Sequence, residues 1–170
     1  VLTGAADGGT IGSAKNYENF ELILDWKTEG EAAMGIRSIP QIALGGKNSG
    51  ALTGNMLHDN AAPKAAANGP QEWNTMQVKV VSDRVTVVLN GVTTAENVIL
   101  ENACNREIPA YAEGQILLIA GNAPLNVREM YIRELPATPR FELSEEEAAD
   151  GFEVLFDGTS MHKWTGNTTN

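Results

Sequence analysis

The stretch FELILDWK, residues 20–27, decides the fold class of this chain. Apolar residues alternate along it with mostly polar ones, and the apolar set is Phe20, Leu22, Leu24 and Trp26. Alternation with a period of two is typical of a β-strand that turns one face to a core and the other to solvent. The stretch therefore predicts a half-buried strand over residues 20–27.

Outward from this strand, similar patterns recur in several short segments. NTMQVKVV (74–81) and RVTVVL (84–89) flank Ser82-Asp83, a two-residue connection that predicts a β-hairpin. Asn90-Gly91 can adopt the positive φ of a further tight turn. Other strands are predicted in IPQIAL (39–44), VTTAENVIL (92–100), GQILLIAG (114–121) and NVREMYIREL (126–135). Short, closely spaced strands with Gly and Asn turns predict an all-β, antiparallel sandwich.

The inward positions of these strands predict the core. Because they alternate along separate strands, burying all of them requires two facing sheets. The predicted core set is Phe20, Leu22, Leu24, Trp26, Val78, Val80, Val85, Val87, Leu89, Ile116, Leu118 and Ile132.

The last third of the chain contains a boundary and a short helix. ELPATPRF (134–141) carries two prolines in four residues and predicts a linker that begins after Pro136. LSEEEAADG (143–151) predicts a helix of about two turns, because Ser144 and Glu147 can form a capping box and Gly151 can end it. The predicted organisation is a β-sandwich over residues 1–136, a linker over 137–150 and a separate segment over 151–170. Residues 50–71 show no useful periodicity and predict one long loop.

The amino-acid composition limits the classes of partner that the chain can bind. The chain has 170 residues, of which 42% are hydrophobic, and a net charge of −10, which argues against binding to nucleic acid or anionic lipid. No apolar run approaches the ~20 residues of a membrane-spanning helix, so no membrane insertion is expected. Cys104 is the only cysteine, no cluster has the spacing of a zinc site, and no cofactor motif is present. A neutral or cationic ligand suits this charge best.

Eight segments in order carry a family resemblance: YENFELILDWK, GIRSIPQI, SGALTGN, EWNTMQVKV, DRVTVVLNG, LEN, IPAYAEGQI and VREMYIRELP. Together they resemble the 3-keto-disaccharide hydrolase family over roughly residues 1–136. The resemblance implies a jelly-roll β-sandwich of the concanavalin A-like type, a carbohydrate ligand, and a bacterial protein that is periplasmic or secreted.

The segment GFEVLFDGTSMHKWTG (151–166) resembles the way in which domains of this family begin. VLTGAADGGTIG, at residues 1–12, resembles instead the interior of such a domain. The domain over residues 1–136 is therefore expected to lack its usual opening strand. Residues 151–170 either open a second repeat, or FEVLF (152–156) docks as a strand on the first domain, within one chain or by exchange between copies.

The family resemblance also implies a chemistry. A keto group at C3 of a sugar acidifies the proton on C2, so a positioned base and an enolate stabiliser can open the glycosidic bond by elimination followed by hydration. This sequence departs from the family pattern at three places. Ala43 to Gly46 stand where family members usually carry polar residues after a strand. Ile119 and Gly121 replace Gln and His, and Ala103-Cys104 replaces Tyr-Trp. The site of this domain is expected to be degenerate, and no catalytic residue is assigned.

Four residues remain as candidate ligand-binding groups. Arg37 and Arg128 match family arginines, and we expect them on one face of one sheet, within one shallow groove. The alternative for Arg37 is an ion pair at the rim, and the alternative for Arg128 is a position on the solvated face of a strand. His58 could act as a base oriented by Asp59. Trp26 and Trp73 are expected in the core rather than as sugar platforms. The function implied is a sugar hydrolase acting on 3-keto-glycosides or related oligosaccharides; the alternative is a non-catalytic glycan-binding or structural domain paired with an active repeat.

Overall fold

The computed structural model of the chain describes residues 1–4, 8–53, 66–102, 104–105, 110–157 and 163–164, and it contains two antiparallel sheets. In spatial order, the six-stranded sheet comprises β1 (Leu2–Gly4), β11 (Leu125–Glu134), β3 (Phe20–Lys27), β7 (Asn74–Val81), β8 (Arg84–Leu89) and β9 (Val92–Ile99). The five-stranded sheet comprises β2 (Thr10–Gly12), β10 (Leu117–Ala120), β4 (Ala32–Gly35), β5 (Gln41–Ala43) and β6 (Leu52–Thr53). The predicted antiparallel sandwich is confirmed.

β3 lies inside the six-stranded sheet and is paired on both edges, with β11 on one side and β7 on the other. Its side chains alternate as predicted, because Phe20, Leu22, Leu24 and Trp26 are each at most 2% exposed. Fully buried large apolar side chains contribute about 1.5–3 kcal/mol each. This strand therefore supplies much of the contact between the two sheets.

The predicted core residues are all buried except Ile132, which is 37% exposed. Ile132 is paired with Leu22 across β11 and β3, so it points to the core side of the sheet as expected. It is exposed because, among the described strands, nothing is paired to the other edge of β11 at this position. The alternation placed Ile132 on the correct face, but its assignment to the core was wrong because no described strand pairs beside it.

The predicted tight turns are present. β7 and β8 pair from Met76–Leu89 down to Val81–Arg84, which confirms the hairpin across Ser82-Asp83. Asn90 and Gly91 both have positive φ, 48° and 82°, which is the backbone twist that two-residue hairpin loops favour. These local turns bring β7, β8 and β9 together in chain order.

The predicted helix is α1 (Glu145–Ala149), a single short helix with the expected capping box. Ser144 Oγ accepts from Glu147 N, and the Glu147 carboxylate accepts from Ser144 N at 2.9 Å. No helix among the described residues is long and apolar enough to cross a membrane.

The start of the predicted linker is attached to the sandwich. The Asn19 side-chain amide donates to Pro136 O at 2.8 Å and to Thr138 Oγ1 at 3.0 Å. Arg140 forms an ion pair with Glu18 at 3.0 Å. Residues 136–140 therefore lie against the end of the sandwich at which β3 begins.

Residues 152–157, all of them described, adopt no strand. Phe152, Leu155 and Phe156 are more than half exposed. Docking of this segment on the sheet of its own chain is therefore not seen, while exchange between copies stays a prediction. Residues 158–162 and 165–170 of the predicted second repeat lie outside the described residues. Within the predicted loop at 50–71, β6 pairs with β5, and residues 54–65 are not described.

The two faces of β3 predict contrasting effects of neighbouring substitutions. Leu24→Ala should lower the free energy of unfolding by about 2–5 kcal/mol, because it removes a fully buried side chain. Ile23→Ala, at a position that is 43% exposed, should cost less than about 1 kcal/mol. Urea unfolding of both variants measures the difference. Equal losses would show that the outer face of β3 is also packed.

Candidate functional site

Arg37 lies in the turn after β4, and it is buried, with only 3% of its surface exposed. Its Nε and Nη2 donate to Glu18 O at 3.0 and 2.5 Å, and its Nη1 donates to Tyr111 O at 3.3 Å. Burial lowers the pKa of the Arg37 guanidinium to about 10, against the charges of Glu18 and Asp83, which raise it. The side chain is still cationic at neutral pH, and its donors are occupied by main-chain carbonyls.

The backbone around Arg37 is closely packed as well. Arg37 has a φ of 47°, in the left-handed region. A Cβ on Gly114 would lie only 2.7 Å from the carbonyl atoms of Arg37, so this contact requires glycine. Ser38 N also donates to Gln115 O at 3.0 Å. Arg37 therefore ties together three segments of the chain, and most of its donors are occupied by main-chain carbonyls and by Asn19 Oδ1.

Arg128 has a different environment, on the outer face of the six-stranded sheet. Its Nε donates to Asp25 Oδ2 at 3.2 Å, and Asp25 Oδ1 accepts from Thr75 Oγ1 at 2.6 Å. The guanidinium carbon lies 4.0 Å from the centre of the Trp73 ring, and Lys27 Nζ lies 5.1 Å from it. Cations this close to an indole are attracted by its π-electrons. These five residues form one cluster, which we call the Arg128 cluster.

Two small polar cavities adjoin the Arg128 cluster, at the end of the sandwich where β3 ends. The first, of about 220 Å³, is lined by Lys27, Thr28, Glu29, Gln71, Pro124 and Asn126. The second, of about 210 Å³, shares Thr28 and Glu29 and reaches Trp26. The Trp26 Nε1 is buried and has no hydrogen-bond partner in the described part of the chain. We call the two cavities together the loop-end groove.

The prediction that Arg37 and Arg128 share one groove is wrong. Arg37 bonds to residues that precede β3, whereas Arg128 is paired with Asp25 near the other end of that strand. The six residue steps from Asn19 to Asp25 span roughly 20 Å at about 3.3 Å per step. The two arginines lie at opposite ends of the sandwich, so of the two only Arg128 remains a candidate ligand group.

The substituted family positions on the five-stranded sheet carry no polar side chain. Ile119 is paired with Ala33, and Ala33 with Ala43, so the three form one apolar row on the outer face. Gly121 donates its N–H to Glu31 O at 3.1 Å. A Cβ at Gly121 would lie 2.3 Å from that same oxygen, so no larger residue fits without a backbone shift. The chain has closed over the position that a family histidine would occupy.

The remaining predicted residues fall partly outside the described part of the chain. His58 and Asp59 lie outside the described residues, as does Ala103. Cys104 is exposed, and Leu44 is fully buried in the core. Among the described residues, no group of three His, Cys, Asp or Glu side chains could hold a metal ion.

Sequence reasoning missed most of the Arg128 cluster. Trp26 is a core residue as expected, but Trp73 is only half-buried and lies outside the core cluster. Asp25 was predicted to face outward, yet its pairing with Arg128 depends on the register between β3 and β11, which are 103 residues apart in sequence at this point. No local pattern contains that register.

The buried role of Arg37 predicts a loss of stability on conservative substitution. Arg37→Lys should lower the free energy of unfolding by about 1–3 kcal/mol, because one ammonium group cannot reach both carbonyl acceptors in the fork geometry of a guanidinium. The matched control is Arg133→Lys, an exposed arginine paired with Glu21, which should change it by less than about 0.5 kcal/mol. Chemical unfolding of both variants is the measurement, and equal effects would contradict a structural role for Arg37.

Comparison with solved structures supports the fold. Two proteins of Parabacteroides distasonis ATCC 8503, each described as a proposed glycosyl hydrolase, superpose with TM-scores of 0.59 and 0.62 at 22% and 17% identity. They cover 76% and 79% of this chain, which covers 84% and 80% of theirs. The carbohydrate-binding module CBM66 of Bacillus subtilis superposes with a TM-score of 0.55 at 14% identity, over 78% of this chain and 86% of that one. The shared architecture is an antiparallel jelly-roll sandwich.

Sequence comparison identifies the family. No functionally described protein matches the chain at a significant level. The family profile of the 3-keto-alpha-glucoside-1,2-lyase-like domain, in contrast, matches residues 1–133. That span contains both sheets and the Arg128 cluster. The resemblance noted from the sequence is thereby confirmed, and the chain belongs to the family of 3-keto-alpha-glucoside-1,2-lyase-like domains.

Proposed function

We propose that this chain is a carbohydrate-active domain that binds a sugar beside Arg128, and that its own site cleaves 3-keto-glycosides weakly or not at all. The observation that carries the proposal is the Arg128 cluster, in which a cation, a carboxylate and an indole meet next to a polar groove. Family membership supplies the ligand class. The net charge of −10 fits a neutral sugar better than an anionic one.

The Arg128 side chain is oriented for binding. Asp25 accepts a hydrogen bond from its Nε, and the centre of the Trp73 ring lies 4.0 Å from its guanidinium carbon. Within the described part of the chain, its two Nη atoms make no hydrogen bond, and the side chain is 39% exposed. A fixed guanidinium can donate two hydrogen bonds to a keto or hydroxyl oxygen. Lys27 and Asn126 add a cation and an amide at the wall of the adjoining cavity.

A sugar in the loop-end groove would also meet the unpartnered indole of Trp26. Buried polar groups in native proteins are nearly always hydrogen-bonded, so an orphan donor is an exception that needs a partner. Trp26 lines the second cavity together with Thr28, Asn68 and Asn74. A hydroxyl oxygen is the acceptor that a sugar supplies there. The groove thus combines apolar rings with a few polar groups, as small-molecule sites do.

Weak or absent catalysis is proposed from the residues that stand at the matching family positions. Elimination from a 3-keto-glycoside moves the C2 proton to a base, while the C1–O bond breaks and its electrons leave with the departing sugar. Asp25 does not suit the role of base, because both of its oxygens already accept hydrogen bonds. The apolar row at Ile119 and the closed position at Gly121 offer no replacement.

The division of labour with a second repeat is part of the proposal. Residues 151–166 resemble a family opening, so a longer parent protein would pair this binding domain with a catalytic one. The alternative is a purely structural sandwich, and it differs in one respect: it would bind no sugar. For such a carbohydrate-active parent we expect a periplasmic or secreted location.

Sugar binding should depend on Arg128 and not on Arg133, which lies on the same strand. In calorimetric titration with a 3-keto-disaccharide, Arg128→Ala should raise the dissociation constant about 10- to 100-fold, the cost of a charged hydrogen bond. The control is Arg133→Ala, because Arg133 lies on the same strand and is also paired with an acidic residue of β3. Equal affinity in both variants, or no binding by the unaltered chain, would contradict the proposal.

Turnover should be absent even where binding occurs. Incubation of the chain with the same 3-keto-disaccharide should release keto sugar no faster than buffer alone, because Ile119 and Gly121 stand at the family positions of Gln and His and both Asp25 oxygens already accept hydrogen bonds. Chromatography of the products measures the release. Rapid cleavage would show that the substitutions at Leu44, Ile119 and Gly121 leave a working base elsewhere.

A further inference from the structure

One side of the sandwich is not filled. Between the edge strands β1 and β2 lie two cavities of about 340 and 210 Å³, which share Leu2, Ile11 and Leu118. The larger one reaches the core residues Leu22 and Ile116. Protein interiors rarely contain voids larger than a water molecule. This apolar opening, which we call the edge groove, is therefore unusual for a finished core.

The backbone beside the edge groove is also incomplete. β11 is ten residues long, but β1 is paired only with Leu125 to Val127. Among the described strands, Arg128 and residues 131–134 of β11 are paired on one edge only, with β3, and an irregularity separates Arg128 from Tyr131. Met130 and Ile132 line the groove and are 41% and 37% exposed. An unpaired edge next to exposed apolar side chains is a template for a further strand.

The chain carries a segment of matching character at residues 152–156, FEVLF. If this segment were extended, Phe152, Val154 and Phe156 would share one face, with Glu153 and Leu155 on the other. In the structure Phe152 is 66% exposed and Phe156 is 52% exposed. Val154 O and Leu155 O accept hydrogen bonds from the side chains of Lys163 and Trp164. Side-chain bonds of this kind are ones that a strand ladder could replace.

In the single chain the segment is held by local hydrogen bonds and is not paired with a strand. Phe141 N donates to Asp157 O at 2.8 Å, and Phe152 N donates to Glu147 O at 3.1 Å. Residues 141–157 are thus folded around the capped helix α1, and the chain leading into them is anchored to Glu18 through Arg140. This arrangement presents the apolar segment outward, where a second molecule can meet it.

We propose that residues 152–156 of one copy add as a β-strand to the free edge of β11 in a second copy. Phe152, Val154 and Phe156 then fill the edge groove, and backbone hydrogen bonds form along residues 131–134, the regular part of the free edge. Strand addition of this type combines a main-chain ladder with pockets for alternate side chains. Because each copy has one segment and one groove, reciprocal exchange gives a closed dimer.

Disulfide cross-linking distinguishes exchange from docking within one chain. Both variants carry Cys104→Ser, which removes the native cysteine; one also carries Ile132→Cys and the other Val154→Cys. Mixing the two under mild oxidation should give a covalent heterodimer. When both cysteines are placed in one chain, the same product should appear as dimers. A covalent monomer would overturn the proposal in favour of docking within the chain.

Mass measurements by light scattering over a concentration series test the interface without new cysteines. The unaltered chain should show a reversible dimer, and Phe156→Asp should raise its dissociation constant at least about tenfold. Phe141→Asp is the matched control, since Phe141 is also a mostly exposed phenylalanine but lies outside the exchanged segment. Met130→Glu, in the groove wall, should weaken the dimer as Phe156→Asp does.

Other outcomes would overturn the proposal. A chain that stays monomeric at all concentrations, with no covalent heterodimer, would leave the edge groove to another occupant. A dimer that is insensitive to Phe156→Asp and Met130→Glu would use a different surface. Circular dichroism of each variant checks that the fold is retained. We expect it to be, because Met130, Phe141 and Phe156 are each more than one third exposed in the single chain.

Discussion

Burial of the inward face of β3 is the constraint on which the rest of the molecule depends. The strand is paired on both edges, so its four apolar side chains can only point into the space between the sheets. Its polar side chains must then face outward, which fixes Asp25 opposite Arg128. The residues just before the strand, Glu18 and Asn19, supply the acceptors for buried Arg37. One alternating segment thus sets the core, the candidate site and the anchor at the far end.

Two arginines that look alike in sequence have opposite roles because their surroundings differ. Arg37 loses its water and is compensated by two main-chain carbonyls and by Asn19 Oδ1, which occupy most of its donors. Arg128 keeps partial contact with solvent and is oriented by one carboxylate and one ring. A buried cation that loses one partner is costly, whereas a half-exposed one can exchange water for a ligand. Matching family positions alone does not distinguish these cases.

The long strands and the helix could be predicted because their signals are local. Eight residues of alternation define β3 and β7, and Ser144 with Glu147 defines the start of α1. The three-residue strands β1 and β2 carry no such pattern, and they exist only through their pairing with β11 and β10. The Arg128 cluster was missed for the same reason, since its members meet through strand register. For Ile132, the alternation predicted that the side chain points to the core side of the sheet, but it could not predict that no described strand pairs beside it.

Both proposals depend on how completely the edges of the sandwich are covered. The end near Arg128 has tight glycine contacts beside the two small cavities of the loop-end groove, whereas the side near β1 opens into the larger edge groove. At glycines 30, 45 and 121 the loops approach so closely that a Cβ would lie 2.2 or 2.3 Å from a neighbouring oxygen. At the open side, apolar surface stays in contact with water at a cost of about 25 cal/mol per Å². The glycine contacts leave no room for a larger residue at those positions, whereas the open side leaves apolar surface that a further strand could cover.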